Sequence, residues 1–284
     1  MASLRALVDA GHDVALVVTG PDRRRGRGAG TSPTPVAQLA HELNLRTEHD
    51  LSNVLNVDAE IAVVVAYGAL IPAAVLEHLA MLNVHFSLLP RWRGAAPVQR
   101  AILAGDVETG VCVMRLEESL DTGPVYARRA TSVGQKSADE LTNELAIVGA
   151  QLLIETLATS PLRSPAAQVG ESTYARKLTS RDFALDPSLG AEQLSRTVRC
   201  GPGVARIGPR RLLVVSAQFD EREIAAGDVA VDERGVLLGT ERGSLLLGNV
   251  RGEGSRTMTS LQWWHGAGLA NDSVKWSRDV AAHP

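Results

Sequence analysis

The sequence predicts an α/β protein, with an open, mostly parallel sheet in the first part of the chain and a small all-β part after it. Three observations carry this reading. Strand-like runs such as DVALVVTG (13–20) and IAVVVAY (61–67) alternate with helix-like segments up to about residue 160, the order that builds a parallel sheet with covering helices. Those runs are almost continuously apolar, as strands buried on both faces must be. After Leu185 the texture changes to short strands with glycine turns, RLLVVSAQ, GDVAVDERGVLLGT and GSLLLGNV, which predicts a small β-barrel or sandwich.

Taken in order, ASLRALVD (2–9) predicts a short helix stopped by Gly11, before the strand at 13–20. The loop PDRRRGRGAGTS leads to a helix opening at Thr34 and Pro35. A threonine hydroxyl can accept from a free N–H of the first turn, and proline fits where its missing N–H has no bond to make. The run 61–67 is the clearest buried strand, followed by a helix at AAVLEHLA (73–80) and a strand at LNVHFS (82–87). GAAPVQRAILAG (94–105) predicts a helix closed by Gly105, and VCVMRL (111–116) and PVYARRATSV (124–133) predict two more strands. Ser137 and Glu140 have capping-box spacing, ahead of a helix ending near Leu157. RSPAAQVGES (163–172) reads as a linker. The expected division is a catalytic domain over 1–160, a linker over 161–184 and a C-terminal domain over 185–284.

Apolar residues make up 45% and charged residues 21% of the chain, which excludes disordered and fibrous classes. The net charge of −3 gives no global nucleic-acid signature, although a local basic patch is compatible with it. The longest apolar run, Ile61 to Leu76, is interrupted by Gly68 and Pro72 and falls short of the roughly 18 residues of a membrane span. No secretion signal pattern opens the chain. Cys112 and Cys200 are too isolated for a disulfide framework, which suits a reducing compartment, so a cytoplasmic location is expected. His12, His41, His49, His78, His265 and His283 show no metal-ligand spacing, and no metal is expected.

The segment NVHFSLLPRWRG (83–94) places an amide and an imidazole two residues apart in an apolar strand. Residues i and i+2 face the same side, so Asn83 and His85 point together near the strand's C-terminal end, where open α/β sheets bind ligands. Such a pair can donate hydrogen bonds to a developing oxyanion. Asp121 lies in the loop EESLDTGP between the next two strands, where a carboxylate can hold a protonated imidazole or accept a proton. Taken alone, the pair is equally a satisfied polar couple, and Asp-Thr-Gly is ordinary turn composition.

NVHFSLLPRWRGAAPVQ, taken with LDTG at 120–123, resembles the folate-dependent formyltransferases, and SLLPRWRGAAPVQ resembles the branch acting on methionyl-tRNA. VVVAYGALIP (63–72), TGVCVM (109–114), SADELTNELAIVGAQLL (137–153), STYARKLT (172–179) and GSRTMTSLQWWHG (254–266) extend the likeness over almost the whole chain. The resemblance implies a doubly wound, Rossmann-like sheet and a C-terminal OB-like barrel. It implies 10-formyltetrahydrofolate as formyl donor and the α-amino group of initiator methionyl-tRNA as acceptor, with the protein acting as a monomer. It further implies catalytic roles for Asn83, His85 and Asp121, and folate binding by Ser87, Leu88, Leu89 and Pro90. Arg23, Arg24, Arg25 and Arg27 correspond to an arginine-containing loop that reaches the acceptor stem of the tRNA, with Arg27 the best match. Transfer to a small amine, and a remnant that only binds tRNA or folate, are the competing readings. The arginine loop and the C-terminal domain argue against the small amine.

Members of that family start with a strand ahead of the helix matched here by residues 2–9. That strand is central in the sheet order, so its absence is expected to leave a gap between its neighbours. The expectation is a true start upstream of Met1, with marginal stability and little activity for a chain that begins at Met1. RTVRCGPGVARIG (196–208) also reads as shorter than its family counterpart.

Overall fold

The computed structural model describes residues 1–24, 31–159, 162–269 and 274–279. Two compact units divide the chain. The first takes residues 1–97, 108–132 and 142–175, and the second takes 98–107, 133–141 and 176–284. In chain order the elements begin with α1 (Ala2–Asp9), β1 (Val17–Val18), β2 (Arg23–Arg24), β3 (Thr31–Ser32), α2 (Pro35–Glu42), β4 (Thr47–Glu48) and β5 (Ala62–Val64). Next come α3 (Ala73–His78), β6 (Met81–His85), α4 (Pro97–Ala104), β7 (Glu108–Arg115), β8 (Val125–Ser132) and α5 (Ala138–Leu157).

The local signals that start and stop helices act as expected. Thr34 Oγ1 accepts from the Ala37 N–H at 3.1 Å, and Pro35 opens α2. Gly105 ends α4 with φ +76°, in the left-handed region where glycine is unstrained. Ser137 and Glu140 cap α5 reciprocally, at 2.8 Å and 3.2 Å.

The first unit is built on a four-stranded sheet in the order β5-β6-β7-β8. β6 pairs parallel with β5 on one side and antiparallel with β7 on the other, and β7 pairs antiparallel with β8. The α/β class stands, and the sheet is mixed in direction. Every residue of β6 is buried. α5 approaches closely because it carries Gly149, where a Cβ would fall 2.8 Å from Val84 Cγ1 and 3.2 Å from Val111 Cγ1.

Two predicted strands are shorter than their apolar runs. The run 13–20 is strand over Val17–Val18, and the run 61–67 over Ala62–Val64. Among the described residues β1 pairs with β4 alone, in a separate two-stranded parallel sheet, and β5 pairs with β6 alone. An apolar run becomes a strand only where a neighbour accepts its backbone bonds. Ala66, at φ +49°, also turns the chain away from extended geometry.

In the second unit α6 (Ala191–Cys200) precedes β9 (Gly203–Ile207), β10 (Arg210–Val214), β11 (Ala217–Asp220), β12 (Val229–Asp232) and β13 (Gly235–Gly239). β14 (Ser244–Leu247), β15 (Asn249–Gly252), β16 (Met258–Thr259), α7 (Ser260–Ala267) and β17 (Trp276–Arg278) complete it. The strands form sheets in the orders β16-β15-β10-β9-β17 and β11-β14-β13-β12. An antiparallel bridge between Asp228 and Lys275, with the Trp276 N–H donating to the Gly227 carbonyl at 2.8 Å, links the start of β12 to the start of β17. Leu194, Ile207, Leu212, Leu245, Trp263 and Trp276 pack between the two sheets in one buried cluster. Trp276 also donates from Nε1 to the Gly239 carbonyl at 2.8 Å. The predicted linker is divided at Ala175, and its first part is bonded into the first unit. No described helix is long and apolar enough to cross a membrane.

Candidate active site

β6 holds its last residues in register with both neighbours, Asn83 opposite Val64 and Met114, and His85 opposite Cys112. Both side chains therefore leave the same face of a rigid strand. Asp121 comes to them from the β7–β8 loop with φ +52°, a conformation that aspartate tolerates better than most residues. All three are buried, at 9%, 6% and 8% relative exposure. The structure brings together the three residues for which the sequence predicts catalytic roles.

Asp121 is the hub of the group. Its Oδ1 accepts from Asn83 Nδ2 at 3.4 Å, and its Oδ2 accepts from the Gly94 N–H at 2.8 Å while lying 3.6 Å from His85 Nδ1. His85 Nε2 sits 2.9 Å from the Trp92 carbonyl. A carbonyl oxygen can only accept, so Nε2 carries a hydrogen. Nδ1 faces the Asp121 carboxylate on the other side of the ring. Among the described residues the Asn83 side chain makes no other hydrogen bond, which leaves a second amide hydrogen for a ligand. Cys112 lies opposite His85, but burial pushes its thiol above the usual range, so it is no competing nucleophile.

Four features of the site were not given roles by the sequence. Trp92 (φ +61°) presents its carbonyl to His85, and its N–H donates to Thr173 Oγ1 at 2.9 Å. Gly94 has φ +116°, and a Cβ there would fall 3.0 Å from the Ala175 carbonyl oxygen, so only glycine places this N–H on Asp121. The segment 173–175 runs beside 92–96 through bonds from Arg93 N to Thr173 O (2.9 Å), Ala175 N to Arg93 O (2.7 Å) and Ala96 N to Ala175 O (3.1 Å). Gln168 joins Arg93 to the Asp121 loop. STYARKLT marked the neighbourhood of Thr173; Gln168 stood in composition that reads as linker.

Of the residues expected to bind folate, Leu88 and Pro90 keep part of their surface open. Ser87 and Leu89 are enclosed, at 0% and 1%. Ser87 donates to the Arg91 carbonyl at 2.6 Å, and Leu89 packs with Cys112, Met114 and Val125. Arg23 and Arg24 form one side of a short antiparallel ribbon opposite Ser32 and Thr31. Arg25 and Arg27 lie outside the described residues.

Residues 2–157 match the family described as formyl transferase. A methionyl-tRNA formyltransferase of Thermus thermophilus is 42% identical over 276 residues, covering 91% of this chain and 90% of its own. That of Roseobacter denitrificans is 36% identical over 287 residues, covering 95% and 93%. The chain belongs to the methionyl-tRNA formyltransferase family. Among solved structures, the N-formyltransferase from Helicobacter canadensis, in complex with folinic acid and dTDP-3-aminofucose, aligns with a TM-score of 0.69 over 90% of this chain and 94% of that one, at 13% identity. At that identity the likeness shows the fold alone. The family match covers the elements that carry Asn83, His85 and Asp121.

Proposed function

We propose that Asn83, His85 and Asp121 are the catalytic centre of an enzyme that moves the formyl group of 10-formyltetrahydrofolate to the α-amino group of initiator methionyl-tRNA, for translation initiation. The observation that carries this is the convergence of a free amide N–H, an imidazole and a carboxylate at the end of β6, in a chain of this family.

The donor supplies a carbonyl carbon open to attack. The acceptor supplies an amine whose pKa of about 8 leaves a neutral, nucleophilic fraction near neutral pH. Negative charge grows on the carbonyl oxygen as the carbon–nitrogen bond forms, and the uncommitted Asn83 N–H stabilises it in a site shielded from water. His85, with Nε2 held by the Trp92 carbonyl, lies beside the oxyanion. The attacking amine must lose a proton and the departing nitrogen must gain one. The His85–Asp121 pair, with 3.6 Å between Nδ1 and Oδ2, is placed to relay it.

Ser87, Leu88, Leu89 and Pro90 shape the folate site, Leu88 and Pro90 by contact and the two enclosed residues from beneath. Arg23, Arg24, Arg25 and Arg27 meet tRNA phosphates, which position a nucleic acid without reading its bases. The C-terminal domain adds tRNA contacts, and the protein works as a cytoplasmic monomer. The test is formyl transfer to methionyl-initiator tRNA and to small amines, with gel filtration of the same sample. Transfer to the charged tRNA with none to small amines is expected. Transfer to small amines alone would overturn the acceptor assignment.

A further inference from the structure

The side-chain amide of Gln168 is saturated. Its Oε1 accepts from Arg93 Nε at 3.1 Å and Nη2 at 2.7 Å. Its Nε2 donates to the carbonyls of Asp121 and Gly123, both at 2.8 Å. The orientation of the amide follows from chemistry, because a guanidinium only donates and a carbonyl only accepts, so the flipped amide would set like against like at all four contacts. The two donated bonds bracket Thr122 and hold the turn in which Asp121 adopts its positive φ. At the other end Arg93 precedes Gly94, whose N–H donates to Asp121 Oδ2. One side chain thus fixes both the backbone that carries the catalytic carboxylate and the segment that orients it.

We propose that Gln168 is a positioning residue that sets the carboxylate of Asp121 against His85 and Asn83. It touches no reacting atom and acts through the Asp121–Gly123 turn and Arg93. The inference rests on the catalytic role given above to Asp121. Displacing that carboxylate slows the chemical step and leaves the binding surfaces for either substrate alone, since displacements of about 1 Å at a reacting centre cost on the order of 100-fold in rate.

The test compares Gln168→Glu and Gln168→Met with the parent chain. Glutamate keeps the size and the acceptors for Arg93 but sets a carboxylate oxygen against the two carbonyls; methionine keeps the volume and loses all four bonds. Steady-state formyl transfer to methionyl-tRNA is expected to show kcat lowered by roughly 10- to 100-fold in both variants, with KM for each substrate within about threefold. Amide-hydrogen exchange in the substrate-free protein supplies a second readout. The Gly94 N–H exchanges about tenfold faster in both variants because its acceptor has moved, and the Met114 N–H in the β6–β7 ladder is unchanged. Unaltered Gly94 exchange with kcat within about threefold of the parent overturns the proposal, as does a loss confined to KM or the failure of both variants to fold. A parent that transfers no formyl group sinks the functional reading instead, and the exchange experiment then decides the positioning role by itself.

Discussion

The two units are held in different ways. At the active site the first unit relies on directed polar bonds: Asn83, His85, Asp121, Gly94, Arg93 and Gln168 are joined by hydrogen bonds and one ion contact, mostly across loops. Leu89, Cys112, Met114 and Val125 form an apolar cluster beneath them. The second unit relies on a broad apolar core, with Leu194, Ile207, Leu212, Leu245 and Trp276 among its enclosed side chains. Polar brackets fix where individual atoms lie, and apolar packing fixes whether the chain folds. Substitutions in the first region should therefore be read in rates, and those in the second in stability.

Four substitutions and one labelling experiment probe that contrast, from the largest effect to the smallest. Asn83→Ala removes the oxyanion donor and should lower kcat by about 100- to 1000-fold with an unchanged melting temperature. Turnover within a few-fold of the parent would show that the amide is only structural. Leu212→Ala, at a position with no exposed surface, should cost about 2–5 kcal/mol of stability in denaturant unfolding. Its turnover per folded molecule should match the parent, and a large fall in kcat would break the contrast. Gly94→Ala should blur it deliberately. The positive φ and the nearby Ala175 carbonyl predict a stability loss of about 1–3 kcal/mol, seen in urea titration, together with a lower kcat.

Asp186 tests the second unit's polar surface. The hydroxyl and N–H of Ser188 hold its carboxyl below the ordinary carboxylate range, with a smaller contribution from the Arg278 charge. A depressed pKa stabilises the fold above the unfolded value of about 3.9 and loses that contribution as pH falls through the folded value. Asp186→Asn should cost under about 1 kcal/mol at neutral pH, with the difference from the parent shrinking on acidification below pH 4. A constant difference across that range would remove ionisation as its source. Last, the two thiols should be silent in both units. Burial pushes Cys200 up to about 12, so near pH 8 the thiolate is about one part in ten thousand. Mass spectrometry after iodoacetamide treatment should find Cys112 and Cys200 labelled only in denatured protein.

Much of the site was legible because strand periodicity is strict: two polar residues at i and i+2 in an apolar run must share a face, and Asn83 and His85 do. Thr34-Pro35 and Ser137…Glu140 located helix starts for the same reason, since capping needs specific side chains at fixed spacing. The length of β1 and β5 was not legible, because it depends on which neighbour lies alongside rather than on the run itself. The Trp92 carbonyl and the Gly94 N–H were invisible as well, since every residue has such groups and only the path of the chain gives them a role. Gln168 was hidden by its company: the serine, proline, alanine and glycine around it are the residues of a flexible connector. In the fold that stretch is bound to the Asp121 loop.

The positive φ of Asp121 has a consequence for how this position can vary. Glycine would relax the backbone but delete the carboxylate; glutamate would keep the charge on a longer arm in a conformation it adopts poorly. Asparagine tolerates the backbone and keeps the shape, yet carries no charge. No replacement preserves two of these qualities and gently weakens the third, so a saturation library at position 121 should divide into a single working letter and dead ones, with no graded middle.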